Sequence, residues 1–257
     1  MYLKGLLLVV SLVFLQLGFA QEDDYVVKDK KSAKPLYKKD LYSTPNPDYT
    51  SYFISPTAFT ITKRDFRLAS NDLIFFKVTY GLTSNTNISI NTSLFGSVIG
   101  SVKHSIVLQE NQQLAFSASF GDFAAALKDT NVWFGGGDAN YTLGDHQNNV
   151  TFGTGFHVVK SNVDLIQDKR QFFVHTLNFG VQRQIAKKTY LMVDGYYFTN
   201  YSILTGAAGF KFVIKTRYAL NAGVMPILWN NIRTSRYDVK PILIPVVSFR
   251  MLIERKD

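Results

Sequence analysis

Residues 149–158 read Asn149-Val150-Thr151-Phe152-Gly153-Thr154-Gly155-Phe156-His157-Val158; even positions are apolar or nearly so, and odd positions are polar or glycine. A period of two belongs to a β-strand, where successive side chains point to opposite faces of the sheet. The same alternation sets Leu114, Phe116, Ala118 and Phe120 on one face of a second stretch. In a third, Ile88, Ile90 and Leu94 oppose Ser89, Asn91 and Ser93. Followed outward, the pattern predicts twelve strands. They lie near 57–64, 72–82, 86–95, 100–109, 112–121, 130–143, 148–159, 171–184, 188–198, 203–214, 217–226 and 240–253. Most of these segments are long enough to cross a bilayer as a tilted strand, which takes roughly 9–11 residues. Strands of soluble proteins are shorter, about 5–6 residues.

The charges choose a face. With each strand's phase set by its large apolar residues, Lys77, Lys103, Asp138, Asp194, Lys211 and Arg250 all fall opposite the apolar set, as does His157. Phe210 and Phe212, for example, point away from Lys211. A lipid-facing Arg or Lys at mid-depth costs about 2–4 kcal/mol, a penalty that a polar lumen does not impose. His104 and His175 depart from the rule and fall on the apolar face.

Short polar turns such as Gln109-Glu110-Asn111, Asp145-His146-Gln147 and Ala186-Lys187 alternate with longer links, expected at 64–71, 122–129, 160–170 and 228–239. Short periplasmic turns and longer outer loops characterise bacterial outer-membrane barrels. An even strand number then puts both termini in the periplasm. Tyr80, Tyr141 and Tyr218 are expected at the periplasmic rim, with Phe120, Trp133 and Tyr197 at the outer one. A sheet in lipid must close, because an open edge would leave backbone groups without hydrogen bonds. The fold expected is all-β: a closed antiparallel transmembrane β-barrel of about twelve strands. A soluble lipocalin-like barrel or sandwich shares the alternation and differs in which face is apolar.

Ahead of the strands, Met1-Tyr2-Leu3-Lys4 precedes an apolar run from Gly5 to Ala20, which ends before Gln21-Glu22-Asp23-Asp24. This reads as a signal peptide, residues 1–20, on a chain exported to the outer membrane. Residues 21–52 read as a polar, Lys-rich periplasmic tail carrying Lys28, Lys30, Lys31, Lys34, Lys38 and Lys39, and 53–257 as the barrel. Losing the leader removes Lys4 and no acid, leaving 27 basic and 19 acidic residues, net +8. Such a charge favours anionic partners. No nucleic-acid motif accompanies the lysines, so no nucleic-acid partner is expected. There is no cysteine, and hence neither a disulfide nor a lipid on a cysteine.

Three stretches resemble uncharacterised outer-membrane β-barrel proteins of Bacteroidota. They are Ser55-Pro56-Thr57-Ala58-Phe59, Tyr80-Gly81-Leu82-Thr83-Ser84-Asn85 and Gly144-Asp145-His146-Gln147-Asn148-Asn149-Val150-Thr151-Phe152-Gly153. The leader's ending, Phe19-Ala20-Gln21, is similar too. The resemblance spans roughly 52–253 and implies the barrel, its outer-membrane lipid surroundings and the barrel assembly machinery; it implies no substrate. Many such barrels end on an aromatic residue, whereas this chain ends Glu254-Arg255-Lys256-Asp257, with Phe249 inside the last strand.

Chemistry is harder to find. His104 and Ser105 are neighbours on one strand and therefore face opposite sides. Asp145 and His146 share a turn without a third metal ligand at a recognisable spacing. Gly135-Gly136-Gly137 lies in a strand and opens no helix, which rules out a phosphate loop. No enzyme, cofactor or metal site is expected. The expected function is a passive, porin-like channel for a small polar or anionic solute through a lumen lined by Lys77, Lys103, Asp138, His157, Asp194, Lys211 and Arg250. The competing reading is a non-conducting structural or surface barrel acting through an outer loop with Trp229, Arg233, Arg236 and Tyr237. A lipid-modifying enzyme is the third.

Overall fold

A computed structural model describes residues 27–28, 35–36, 46–72, 74–94, 96–122, 132–162, 171–229 and 240–254. Two units divide the chain, Met1–Thr44 and Pro45–Asp257. In the first, Val27–Lys28 pairs antiparallel with Pro35–Leu36. The leader expected at 1–20 lies outside the described residues.

In the second unit, twelve antiparallel strands close into a barrel among the described residues. They are β1 (Phe66–Asn71), β2 (Phe75–Thr83), β3 (Thr86–Ser93), β4 (Val98–Gln109), β5 (Gln112–Asp122), β6 (Val132–Gly144), β7 (Asn149–Ser161), β8 (Gln171–Ala186), β9 (Thr189–Phe198), β10 (Ile203–Ile214), β11 (Tyr218–Trp229) and β12 (Lys240–Ile253). Each pairs with its sequence neighbours, and β12 returns to β1 through the register Ser248↔Asn71 to Ile253↔Phe66.

Eleven of the expected strands match observed ones, and the first does not. The strand expected at 57–64 is not in the wall; the first wall strand is Phe66–Asn71, within the link expected at 64–71. This stretch, Thr57-Ala58-Phe59-Thr60-Ile61-Thr62, lies inside the barrel and outside its strands, with Thr57, Ala58, Phe59 and Ile61 all buried. A tight reversal carries it outward: Asp65 N–H donates to Thr62 O at 3.1 Å, and Arg64 takes a φ of 71°. At the crossing point a Cβ on Gly81 would lie 2.0 Å from Thr62 O, so only glycine lets the chain pass.

The wall is inside out relative to a soluble barrel. Lys211 is 0% exposed, while its neighbours Phe210 and Phe212 are 43% and 40% exposed. Phe116, Phe120, Phe156, Val224 and Val247 are likewise exposed outward, whereas Thr142, Thr151, Asn221 and Ser248 are buried inward. Apolar outside and polar inside is the polarity of a barrel solvated by hydrocarbon, opposite to a lipocalin-like fold. The exceptional histidines find polar partners on neighbouring strands and turns. His104 reaches Thr86 Oγ1 at 3.0 Å, and His175 lies between Thr154 and Thr199, 3.0 Å from each.

Links at one end are short: 84–85, 110–111, 145–148, 187–188 and 215–217. The opposite end carries the longer 123–131, 162–170 and 230–239, together with the short 72–74, 94–97 and 199–202. Aromatic pairs mark both rims. Phe66 and Tyr80 (4.7 Å) and Tyr218 and Phe249 (5.9 Å) lie toward the short-turn end, Phe120 and Trp133 (5.7 Å) toward the other. If lipid surrounds this surface, Val224→Arg, midway along β11, should cost about 2–4 kcal/mol in unfolding equilibria from lipid vesicles. A loss well below that range would mean that the position meets water.

Candidate functional site

Residues 46–62 run through the short-turn half of the lumen. The boundary expected between 52 and 53 falls inside this continuous segment, most of which is buried, including Asn46, Asp48, Tyr52, Phe53, Ala58 and Ile61. Its sequence folds it locally. The Asn46 side chain accepts the Asp48 N–H at 3.0 Å across Pro47, and its amide donates to His146 O at 2.9 Å. Farther on the segment doubles back as a small hairpin with Ser51 opposite Pro56, where Tyr52 N–H donates to Ser55 O at 2.9 Å.

Asp48 is the centre of attachment. Arg67 Nη1 donates to its Oδ1 at 2.7 Å, while Lys211 Nζ and Arg250 Nε lie 3.3 and 3.6 Å from Oδ2. Asn221 Nδ2 adds a contact at 3.4 Å, and Ser51 Oγ donates at 3.3 Å. Arg67 also donates to Thr50 Oγ1, and Lys211 to Gln182 Oε1 and the Asp48 carbonyl. Burial alone would raise the Asp48 pKa, but attraction to Lys211, Arg250 and Arg67 and the Asn221 hydrogen bond outweigh it and hold the carboxyl below its usual value.

Other contacts fix the register of the segment. Asp194 Oδ2 accepts from Ile54 N–H, Ser55 N–H and Ser55 Oγ at 2.8, 2.6 and 2.8 Å. Lys103 Nζ donates to the carbonyls of Thr57 and Phe59 at 3.2 and 2.5 Å. Ala58 N–H donates to Thr142 Oγ1 at 2.7 Å, and the Tyr52 hydroxyl lies 2.6 Å from Asn149 Oδ1 and 2.8 Å from Thr151 Oγ1. Apolar packing supplements the polar contacts. Phe53 sits with Met192, Ala207 and Val246, and Tyr52 fills the space left by Gly180, where a Cβ would come within 2.2 Å of its ring. Tyr49 stacks on His146 at 3.9 Å, and burial lowers the His146 pKa.

The long-loop half keeps a cavity of about 390 Å³ lined by residues of β5 to β9, Asp138 and His157 among them. His157 Nε2 lies 3.2 Å from Asp138 Oδ1.

The expected lumen residues therefore divide by position. Lys103, Asp194, Lys211 and Arg250 hold the segment, Asp138 and His157 line the cavity, and Lys77 faces inward beside the buried Ala69. Of the expected outer-loop group, Trp229 ends β11, its side chain outside the described residues, as are Arg233, Arg236 and Tyr237. Sequence reading missed Asp48, Tyr52 and Arg67. Tyr49, Tyr52 and Phe53, crowded beside Asn46-Pro47-Asp48, were the available signal, since an aromatic cluster fits a solvated tail poorly.

Asp48→Asn leaves buried cations uncompensated and should weaken segment docking by about 3–5 kcal/mol. Because the folded pKa of Asp48 is depressed, its contribution is complete above the unfolded value and lost as pH falls through the folded one. Hydrogen exchange at the Ala58 amide, taken relative to its intrinsic rate at each pH, reads both effects. It should be fast in Asp48→Asn at neutral pH, and in the wild type should stay slow until the pH is below the ordinary aspartate range.

No family model and no curated protein matches this sequence. Among solved structures the chain is similar to the KdgM porin, at 10% identity and TM-score 0.42 over 73% of this chain and 96% of that one. A bacterial polysaccharide outer membrane secretin matches at 10% identity and TM-score 0.43, over 76% of this chain and 77% of that one. The NanC porin matches at 11% identity and TM-score 0.41, over 73% and 97%. Likeness at this level says nothing of a solute for this chain.

Proposed function

We propose that this chain is an integral outer-membrane barrel with periplasmic termini, and that it works as a channel whose opening is controlled by its own residues 46–62. The membrane assignment is supported by the apolar outward wall and by the short-turn end, where β1 begins and β12 finishes. The turn motifs that resemble Bacteroidota barrels agree with it. The observation that carries the control is the attachment of Asp48 to Arg67, Lys211 and Arg250, because it ties the filling of the lumen to its wall by charge. Hydrogen-bonded ion pairs are reversible in a way that a continuous apolar core is not.

With residues 46–62 in place, solute has no wide path through the short-turn half. With them withdrawn, the wall presents Arg67, Lys77, Lys103, Lys211 and Arg250 against Asp138 and Asp194, an excess of positive charge that favours anions. Passage suits the described residues better than catalysis. His104 faces outward while Ser105 is buried inward against Gln113, so the two share no site.

A second reading, a non-conducting structural barrel, draws on the same filled lumen. Planar-bilayer conductance separates the two. Wild-type protein at neutral pH should insert and stay mostly closed, while a chain lacking residues 46–62 should open with a reversal potential favouring anions. Adding Lys77→Glu and Lys103→Glu to the deletion should move that potential toward cations. A deletion variant that migrates as a folded, heat-modifiable barrel yet never conducts would establish the structural reading instead.

A further inference from the structure

The cavity in the long-loop half differs in charge from the rest of the lumen. The basic side chains Arg67, Lys77, Lys103, Lys211 and Arg250 stand on β1, β2, β4, β10 and β12; Asp138 and Asp194 stand on β6 and β9 across the barrel. Among the described residues no lysine or arginine pairs with Asp138. Its contacts are His157 Nε2 at 3.2 Å on Oδ1 and Ser117 Oγ at 3.4 Å on Oδ2.

The polar atoms here are turned to accept. With Nε2–H given to the carboxylate, His157 keeps a lone pair on Nδ1, which is closed from water and has no hydrogen-bond partner. It faces the gap left by Gly136, where a Cβ would lie 2.3 Å away. Around these acceptors the walls are aromatic. Phe134 stacks on His157 at 5.0 Å, and the rings of Tyr196 and Phe198, on the inward face of β9, stand 6.2 Å apart. A cavity near 390 Å³ lies in the size range of small-molecule sites, about 300–1,000 Å³, and has their mixture of apolar walls and few polar groups. A carboxylate that meets a histidine and a serine but no lysine or arginine among the described residues, set among π-faces, attracts one kind of guest, a hydrogen-bond-donating cation with an apolar body.

We propose that this cavity binds a small organic ammonium ion, its nitrogen on Asp138 and its apolar body against Phe134, Tyr196 and Phe198. Its described lining belongs to the barrel wall and is present with residues 46–62 in place, so the assignment stands whether or not the barrel conducts.

Calorimetric titration of the detergent-folded full-length chain tests this with three probes of similar shape: benzylammonium, benzyl alcohol and benzoate. Benzylammonium should bind at least about tenfold tighter than benzyl alcohol, a difference of about 1.4 kcal/mol, and benzoate should not bind. Asp138→Asn should erase the difference between amine and alcohol. Phe134→Leu, which keeps apolar bulk and leaves Asp138 untouched, should weaken benzylammonium several-fold. Folding of each variant is read from heat-modifiable migration. Equal affinity for amine and alcohol, no amine binding at millimolar concentrations, or undiminished amine binding by folded Asp138→Asn would overturn the assignment.

Discussion

A carboxylate can leave water only if cations and donors replace the water it loses, and inside this barrel that condition governs Asp48. Arg67, Lys211 and Arg250 come from three different strands and converge on one side chain that belongs to none of them. Without Asp48 the three cations would repel one another in a poorly hydrated space. Without the cations Asp48 could not remain ionised there. The position of Asp48 sets where the rest of the segment falls. Tyr52 then reaches Asn149, the hairpin turn reaches Asp194, and the carbonyls of Thr57 and Phe59 come to Lys103.

The barrel was legible in the sequence because lipid and lumen impose opposite polarities on alternate residues. Phe210-Lys211-Phe212 is readable without any knowledge of what Lys211 touches. Strand number is unaffected by the one misplacement: the pattern at 57–64 reads as a strand that the wall lacks, and Phe66–Asn71, six residues long, reads as a loop where the wall has a strand. Both stretches mix polar and apolar residues at short spacing, yet in 57–62 the consecutive Thr57, Ala58 and Phe59 are all buried, as befits a chain surrounded by the lumen. Period two reports extension and sidedness, and does not say whether an extended segment belongs to the sheet. The partner of Lys211 was invisible for a different reason. Asp48 lies 163 positions away, in a stretch whose lysine-rich upstream flank reads as solvated tail, and periodicity carries no information about contacts at that separation.

The lumen is divided in two directions. Along its axis, the short-turn half is filled and the long-loop half retains a cavity. Across it, basic residues gather on β10, β12, β1, β2 and β4, facing acids on β6 and β9. The segment bridges both sides, giving a carboxylate to the basic arc and backbone N–H groups to Asp194. It matches the charge of each wall that it meets, which a merely space-filling insertion would have no reason to do.

The seam between β12 and β1 pairs six residues, fewer than β11 shares with β12, and Arg250 and Arg67 stand on its two sides. Asp48 contacts both. Residues 46–62 also lead directly into β1 through the reversal at Arg64, so β1 cannot reach β12 without bringing them along. Asp48 is thus a brace across a short seam of the cylinder, and releasing the segment also takes away that brace.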